Sequence, residues 1–123
     1  MSFGAGLLTA RAWDADAPAG KTGAEAAGSG YLRGQTYTCH VQRKNGELRA
    51  NHSDTHEMLL DINSTGFDVV EAQCLLREKG FSPGGFDGLY GERAKKAAKE
   101  FQGKHRLVVD GIIGPDTWRE LRR

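Results

Sequence analysis

The sequence predicts a mainly α fold, in which three short helices pack together and an N-terminal β-hairpin precedes them. Three observations predict it. Apolar residues recur at helical spacing in three segments of the second half of the chain. A six-residue turn motif, FDGLYG at 86–91, recurs as VDGIIG at 109–114, ahead of the second and third of these segments. An Asn-Gly pair separates two runs of strand-forming residues near the middle of the chain.

The composition limits the partners that the chain can bind. Its 17 basic and 16 acidic residues leave a formal net charge of +1, whereas proteins that track a phosphate backbone usually carry a basic excess. No stretch approaches the roughly 20 apolar residues of a membrane-spanning helix. We therefore expect neither a nucleic-acid nor a membrane partner, and we expect a monomer.

Residues 1–30 carry no pattern of a folded element. The first twelve residues are mostly small and apolar and end in Ala10-Arg11-Ala12, which fits the cleavage site of a signal peptide, although the basic start is missing. They are interpreted either as a signal remnant or as a flexible N-terminus that happens to contain this tripeptide. The Ala- and Gly-rich residues up to Gly30 predict a disordered leader, because their apolar content cannot offset the entropy of ordering.

Residues 31–65 are predicted to form a β-hairpin extension. Asn45-Gly46 lies between the strand-forming runs 35–43 and 48–52, and a type I′ turn requires positive φ at both central residues. Alternation places Tyr37, Cys39 and Val41 on one face. A lone hairpin is marginally stable in water, so it must be attached to another part of the fold.

The chain has two cysteines, Cys39 and Cys74. An even count in a short chain is compatible with one disulfide, and two buried free thiols are the alternative. Because Cys39 lies on the inward face of the predicted hairpin, a bond would attach the hairpin to the rest of the fold. The residues alone leave both interpretations open.

Residues 66–123 are predicted to form a domain of three helices. Asp68 and Glu71 match a capping box, in which an N-cap Asp is followed three residues later by Glu. Gly80 fits the left-handed residue after the first helix. Phe81 then packs back onto the helix, as in a Schellman ending.

Glycines also mark the limits of the other two helices. The second is predicted to begin after Gly91 and to end at Gly103. The third follows Gly114 and has Pro115 at its favoured first position. The positions predicted to face the core are Val69, Ala72, Leu75 and Leu76 in the first helix, Ala94, Ala97, Ala98 and Phe101 in the second, and Trp118 and Leu121 in the third.

Both copies of the turn motif read apolar-Asp-Gly-apolar-apolar-Gly and lead into a helix. Asp87 and Asp110 are predicted to hold the turns through their side chains, and the following glycine supplies a left-handed residue. A calcium loop is the alternative for these two carboxylates, but the motif lacks the alternating oxygen ligands of such loops.

The segment GFSPGGFDGLYGERAKKAAKEFQGKHRLVVDGIIGPDTWREL closely resembles the peptidoglycan-binding domain found as an appendage of cell-wall hydrolases, and DVVEAQCLLREKGF resembles the first helix of that domain. The resemblance covers residues 66–122. It implies a compact three-helix fold, a secreted setting in bacteria, and non-catalytic attachment to peptidoglycan. We expect a stand-alone module without a metal or cofactor.

Two details follow from the same resemblance. The hairpin with its cysteine resembles extensions on secreted actinobacterial members, which supports a disulfide between Cys39 and Cys74. The family often has Thr or Ser three residues after the second Gly of each motif. Thr117 fits this pattern, but Ala94 departs from it, so any polar role is expected to be absent at that position.

The predicted ligand contacts surround the first turn motif. Glycan and stem-peptide ligands are bound by aromatic faces, hydrogen-bonding groups and complementary charges, which indicates Phe86, Tyr90, Arg93 and Lys96. Arg93 is expected to bind a stem-peptide carboxylate through two hydrogen bonds. Under the alternative interpretation, the two aromatic side chains belong to the core, with the tyrosine hydroxyl at the surface, and the two cations are solvated.

Two other classes of function stay open. One is a small zinc hydrolase, because His52 and His56 are four residues apart and Glu57 follows, although a third ligand is missing and the motif is not H-E-x-x-H. The other is a protein-interaction domain built on the same fold. The basic residues of the second helix and the loop after it are interpreted as a solvated surface rather than a nucleic-acid patch: Lys95, Lys96, Lys99, Lys104 and Arg106.

Overall fold

The computed structural model describes residues 30–123, and residues 33–123 form one folded unit. The described part contains strands β1 (Gln42–Lys44) and β2 (Glu47–Arg49), followed by helices α1 (Phe67–Glu78), α2 (Glu92–Lys104) and α3 (Pro115–Leu121). The predicted mainly α fold with an N-terminal hairpin is therefore confirmed. The predicted signal remnant and disordered leader fall, except for Gly30, outside the described residues. None of the helices described is long and apolar enough to cross a membrane.

The hairpin turns where the Asn-Gly pair predicts. Asn45 and Gly46 have φ angles of 54° and 83°, the positive values that a type I′ turn requires. The paired strands are only three residues long, and Arg43 lies opposite Leu48 at the centre. The predicted strands were longer, but the predicted alternation extends beyond the paired region. Tyr37, Cys39 and Val41 are each half-buried, and the residues between them are exposed.

A disulfide joins Cys39 to Cys74 in α1, with 5.5 Å between the Cα atoms. The disulfide interpretation is therefore confirmed over that of two free thiols. The Cys74 side chain is fully buried. Closing a loop of 35 residues gives about 4 kcal/mol of stabilisation in the chain-entropy model, a large share of the stability of a small domain.

The start of α1 differs from the prediction. Its N-cap is Gly66 with φ of 122°, and no side chain caps the helix. Asp68 lies in the first turn and accepts a hydrogen bond from the Ser53 hydroxyl, whereas Glu71 is buried and bonds to a distant segment. The predicted capping box is therefore wrong, because tertiary contacts take both carboxylates away from the helix end.

The end of α1 agrees with the prediction. Gly80 has φ of 96° and donates its N–H to Arg77 O at 2.9 Å, and Phe81 donates to Leu76 O at 2.9 Å. These two bonds define a Schellman ending. Phe81 also packs against the hydrophobic core.

The end of α2 lies beyond its predicted limit. The helix begins after Gly91 as predicted, but it continues through Gly103 to Lys104. Arg106, with φ of 60°, then takes the left-handed position, and Leu107 donates its N–H to Gln102 O at 2.8 Å. A non-glycine residue therefore closes this helix, in a conformation that costs about 1–2 kcal/mol relative to glycine.

All three helices share one core, and the predicted apolar stripes are confirmed. The segment 58–66 lies against this core and contacts both turn motifs. Leu60 exchanges two backbone hydrogen bonds of 2.9 Å with Ile113, and Tyr90 donates its N–H to Ser64 O at 2.9 Å. Trp118 is fully buried, as predicted, and its indole N–H donates to Met58 O at 2.7 Å. The core residues are Leu60, Val69, Ala72, Leu75, Leu76, Tyr90, Ala94, Ala97, Ala98, Phe101, Ile113, Trp118 and Leu121.

Candidate functional site

A buried glutamine holds each copy of the turn motif. We call residues 86–91 turn one and residues 109–114 turn two. At turn one the Gln73 side-chain amide of α1 accepts the Gly88 N–H at 2.9 Å and donates to Asp87 Oδ1 at 3.2 Å and to Leu89 O at 3.1 Å. Asp87 Oδ1 in turn accepts the Leu89 N–H at 3.1 Å. Both sides of one amide therefore fix the turn.

Turn two repeats this arrangement with Gln102 of α2. Its amide oxygen accepts the Gly111 N–H at 2.9 Å, and its NH₂ group donates to Asp110 Oδ1 at 3.0 Å and to Ile112 O at 2.9 Å. Asp110 Oδ1 accepts the Ile112 N–H at 2.9 Å, so both motif carboxylates hold turns as predicted. Sequence reasoning missed the two glutamines. The signal available was an amide side chain among apolar neighbours on a helix face.

The two turns differ in one contact. The Gln102 NH₂ group also donates to the buried Thr117 hydroxyl at 3.1 Å. The corresponding residue after turn one is Ala94, which is buried and has no hydroxyl. Turn one therefore lacks the hydroxyl contact that Thr117 makes at turn two.

The predicted ligand contacts lie in different surroundings. Phe86 is half-buried, and the Arg77 guanidinium lies 5.0 Å from the centre of its ring. Arg93 is exposed, and its stem packs against Gly84 in the loop before turn one. Lys96 is exposed and lines a shallow depression with Ile62, Glu92, Lys95 and Lys99.

Tyr90 is not an exposed contact. Its side chain is fully buried, and its hydroxyl donates to Gly111 O at 2.6 Å, which joins turn one to turn two. Burial, with a smaller effect of the Asp61 and Asp110 carboxylates, raises the pKa of this hydroxyl. The alternative of a core tyrosine is correct for the ring, but the hydroxyl is also internal. The sequence motif could not establish this, because the Gly111 partner lies 21 residues away.

An aliphatic groove that sequence reasoning did not single out lies beside turn two. Leu59 and Val108 are 66% and 78% exposed, and both line the groove. Its polar wall comprises the carboxylates of Asp110 and Asp116. The available signal was the run Leu107-Val108-Val109, which looks like core but lies largely outside it.

A buried ion pair fastens the hairpin to the helices. The Glu71 carboxylate accepts the N–H groups of Ala50 and His52 at 2.8 and 2.9 Å and lies 3.0 Å from Arg122 Nη1. The Arg122 guanidinium also donates to Leu48 O at 3.0 Å and to Thr55 O at 2.8 Å. Both side chains are buried. The pair therefore provides hydrogen-bond partners for backbone groups in the loop between β2 and residue 55, which would otherwise need water.

The two histidines that suggested a zinc site do not lie together on a helix face. Residues 52–56 lie outside the helices, His52 Nε2 lies 2.8 Å from Thr38 O, and His56 Nε2 lies 2.9 Å from Glu47 Oε1. The hydrogen bond from His56 lowers the pKa of Glu47. Across residues 30–123, no three His, Cys, Asp or Glu side chains are grouped so that they could hold a metal ion. His52 and His56 therefore do not form the pair of metal ligands on which the zinc hydrolase alternative depended.

Comparison with known proteins identifies a family for the three-helix unit. Residues 65–121 match the family model described as "Putative peptidoglycan binding domain". The chain is 35% identical over 81 residues to the spore cortex-lytic enzyme of Bacillus cereus and 39% identical over 56 residues to the N-acetylmuramoyl-L-alanine amidase CwlM of Mycobacterium tuberculosis. These matches cover 66% and 46% of this chain but only 29% and 14% of the relatives, so the chain spans less than a third of their length.

Two solved structures are similar in fold and sequence. A peptidoglycan-binding protein from Clostridioides difficile, in complex with glutamine hydroxamate, has a TM-score of 0.60 and 30% identity, over 69% of this chain and 57% of that one. The SleB N-terminal domain has a TM-score of 0.51 and 35% identity, over 53% of this chain and 89% of that one. The matched residues 65–121 comprise the three-helix unit, and through them the chain belongs to the peptidoglycan-binding domain family.

Proposed function

We propose that this domain binds bacterial cell-wall peptidoglycan without cleaving it, and that it belongs to a secreted protein which it holds at the wall. The observation that carries the proposal is the match of residues 65–121 to a binding-domain family whose relatives include wall-lytic enzymes. The matched region is the three-helix unit, whose buried polar side chains hold the two turns or fasten the hairpin. Its exposed side chains are therefore the groups available to a ligand.

The contact surface is proposed to include Phe86, Arg93 and Lys96. Phe86 is half-buried with Arg77 over one face of its ring, and the part of the ring that stays exposed suits the apolar side of a sugar ring. Arg93 and Lys96 are exposed on α2 and present cations to carboxylates. Tyr90 is left out because it is buried.

Sedimentation with insoluble peptidoglycan tests the proposal. Purified protein is mixed with sacculi and centrifuged, with an established wall binder as the positive control and a non-binding protein of similar size as the negative control. We expect the protein to pellet and the turbidity of the sacculi to stay constant. Protein that remains in the supernatant while the positive control pellets would sink the binding proposal, and a fall in turbidity would contradict the absence of catalysis.

Single variants test the contact surface. Phe86→Ala and Arg93→Ala are expected to weaken retention, whereas Arg119→Ala, an exposed cation on α3, serves as the matched control. Truncations of interface residues that matter cost more than about 1 kcal/mol, a loss of roughly fivefold or more in affinity. If all three variants were retained on sacculi equally well, Phe86 and Arg93 would not belong to the ligand-contact surface.

A protein-interaction domain is the second candidate, because of the aliphatic groove beside turn two. Leu59 and Val108 form an exposed apolar surface of the kind that contacts other proteins. Under this candidate, Val108→Asp would abolish capture of a protein partner but leave sedimentation with sacculi unchanged. Loss of sedimentation in Val108→Asp would instead assign the groove to the wall polymer.

A further inference from the structure

The two glutamines define equivalent positions on α1 and α2. Because Gln73 and Gln102 make the same bonds to their turns, residues at the same distance from each glutamine occupy equivalent places relative to the turn. The residues 67, 70, 71 and 74 of α1 therefore correspond to 96, 99, 100 and 103 of α2. In the turns, Phe86 corresponds to Val109.

On α1 this face is covered by the chain's own extended segment. Tyr37 donates its N–H to Phe86 O at 2.8 Å, and its ring lies edge-on to Phe67 at 5.4 Å. Two residues later, Cys39 is bonded to Cys74. Val70, between these points, has no exposed surface. A peptide in extended conformation thus lies along the helix and the edge of turn one.

On α2 the equivalent face is open. Lys96, Lys99 and Gly103 are exposed, and Val109 is 53% exposed. Gly103 has no side chain, and a Cβ built there would meet only Val109 Cγ2, at 3.8 Å. We call Lys96, Lys99, Gly103 and Val109 the α2 strip.

The charge of the strip indicates what it binds. α2 carries five basic and two acidic residues, and only Lys95 among its cations is paired with a described carboxylate, that of Asp61 at 2.8 Å. A Cβ built on Gly111 would lie 2.7 Å from Lys95 Cε and 3.2 Å from Lys99 Cε, so the side chains of both lysines lie against turn two. Two ammonium groups about one helical turn apart complement a ligand with several carboxylates.

We infer that the α2 strip binds an extended, carboxylate-bearing peptide in the way that the segment around Tyr37 lies on α1, and that this peptide is the stem peptide of peptidoglycan. The inference rests on the proposed function and names the part of the polymer that is bound. Its site shares Lys96 with the contact surface proposed above and extends that surface along α2 to turn two. Backbone hydrogen bonding at the edge of turn two supplies register, as Phe86 O does at turn one. Lys96 and Lys99 supply the charge contacts.

The test uses a soluble probe and follows backbone amides by NMR. The probe is the pentapeptide L-alanyl-γ-D-glutamyl-L-lysyl-D-alanyl-D-alanine, compared with the same peptide amidated at its carboxyl groups. We expect the free-acid peptide to shift the amide signals of Lys99, Gly103 and Val109. The amidated peptide is expected to bind at least about tenfold more weakly. Equal shifts by both peptides, or shifts confined to turn one, would overturn the inference.

Variants separate the strip from general electrostatic attraction. Lys96→Glu with Lys99→Glu is expected to weaken peptide binding at least about tenfold, and Lys44→Glu with Arg119→Glu, which changes the net charge equally at exposed sites elsewhere, is expected to leave it unchanged. Gly103→Leu adds a side chain to the strip without reversing charge, and a helical glycine is replaced at no conformational cost. It is expected to block the peptide as well.

The outcomes distinguish this inference from the proposed function. If the wild type does not sediment with sacculi, the proposed function fails. If the wild type sediments and the strip variants do so equally well, the function stands and the strip is overturned as the binding site. Binding of equal strength to soluble glycan strands that lack stem peptides would also overturn it.

Discussion

Turn one and turn two are held by the same set of bonds, but their helices present opposite kinds of surface. The face of α1 beside turn one carries Phe67, Val70 and Cys74, and the N-terminal extension covers it. The equivalent face of α2 carries two lysines and a glycine and is exposed. The difference teaches that the glutamine and the turn carboxylate are what the fold requires, whereas the outer helix face is free to serve structure in one copy and a ligand in the other.

The largest expected effect separates two glutamates at equivalent positions. Glu71→Ala removes the acceptor of three backbone N–H groups and leaves the Arg122 guanidinium buried without its counter-ion. We expect a loss of about 3–5 kcal/mol in the free energy of unfolding. Glu100→Ala on the exposed face of α2 is expected to change it by less than about 0.5 kcal/mol. Urea unfolding followed by circular dichroism measures the free energy of unfolding of both variants. Equal losses would contradict the contrast between the covered face of α1 and the exposed face of α2.

The disulfide has no counterpart on α2 and gives the next largest effect. Replacing Cys39 and Cys74 together by Ala is expected to lower the free energy of unfolding by about 2–4 kcal/mol. Calorimetry should give the variant a Tm below that of the disulfide-bonded wild type and equal to that of the wild type under reducing conditions. A variant with the Tm of the disulfide-bonded wild type would mean that the other contacts hold the extension without the bond.

The third prediction compares the two turns directly. Gln73→Ala and Gln102→Ala each leave a buried turn N–H without an acceptor, and each is expected to cost about 1–3 kcal/mol. Thr117→Ala gives turn two the residue type of turn one and is expected to cost about 1 kcal/mol. If either glutamine variant were as stable as the wild type in chemical denaturation, the bonds from that glutamine to its turn would not be a requirement of the fold.

The ends of α1 and α2 predict changes of opposite sign. Arg106→Gly relieves a left-handed arginine and is expected to raise the free energy of unfolding by about 1 kcal/mol. Gly80→Ala puts a side chain at the matching position of α1 and is expected to lower it by a similar amount. Urea midpoints at unchanged slope measure the two shifts. Shifts of the same sign would rule out backbone conformation as their cause.

The smallest effect concerns pH. The hydrogen bond from Lys95, followed by that from the Ile62 N–H, lowers the pKa of Asp61 below its usual 3.8. A lowered acid pKa adds stability that is present above pH 3.8 and is lost as the pH falls through the folded-state value. Asp61→Asn should therefore lose stability at neutral pH and show a weaker decline in acid. Parallel acid-unfolding curves for variant and wild type would count against this pair.

Local backbone chemistry made much of the fold predictable. Asn45-Gly46 adopts the turn that its residue types favour, Gly80 closes α1, and Pro115 opens α3. The apolar stripes identified the core because the helical period is short and regular. Such features depend on neighbours in the chain, so they can be read without knowing the tertiary structure.

The contacts that position the candidate site depended on residues far apart in sequence. Glu71 and Arg122 are separated by 51 residues, and neither reveals its partner locally. Glu71 fitted a capping pattern, yet burial beside Arg122 determined its role. Tyr90 is internal because its hydroxyl finds Gly111 O across the core. Local pattern cannot rank such interactions, because their energy depends on desolvation that only the assembled structure defines.

The distance from each glutamine to its turn also has a practical consequence. Gln73 and Asp87 are 14 residues apart, whereas Gln102 and Asp110 are 8 apart, and both pairs form the same bond. The bond between glutamine and turn carboxylate therefore forms across connections of different length. The helix end and the loop between Gln73 and Asp87 are both longer than those between Gln102 and Asp110. The shorter connection of turn two is accordingly a site for inserting a reporter peptide, since turn one demonstrates that six extra residues leave the geometry intact.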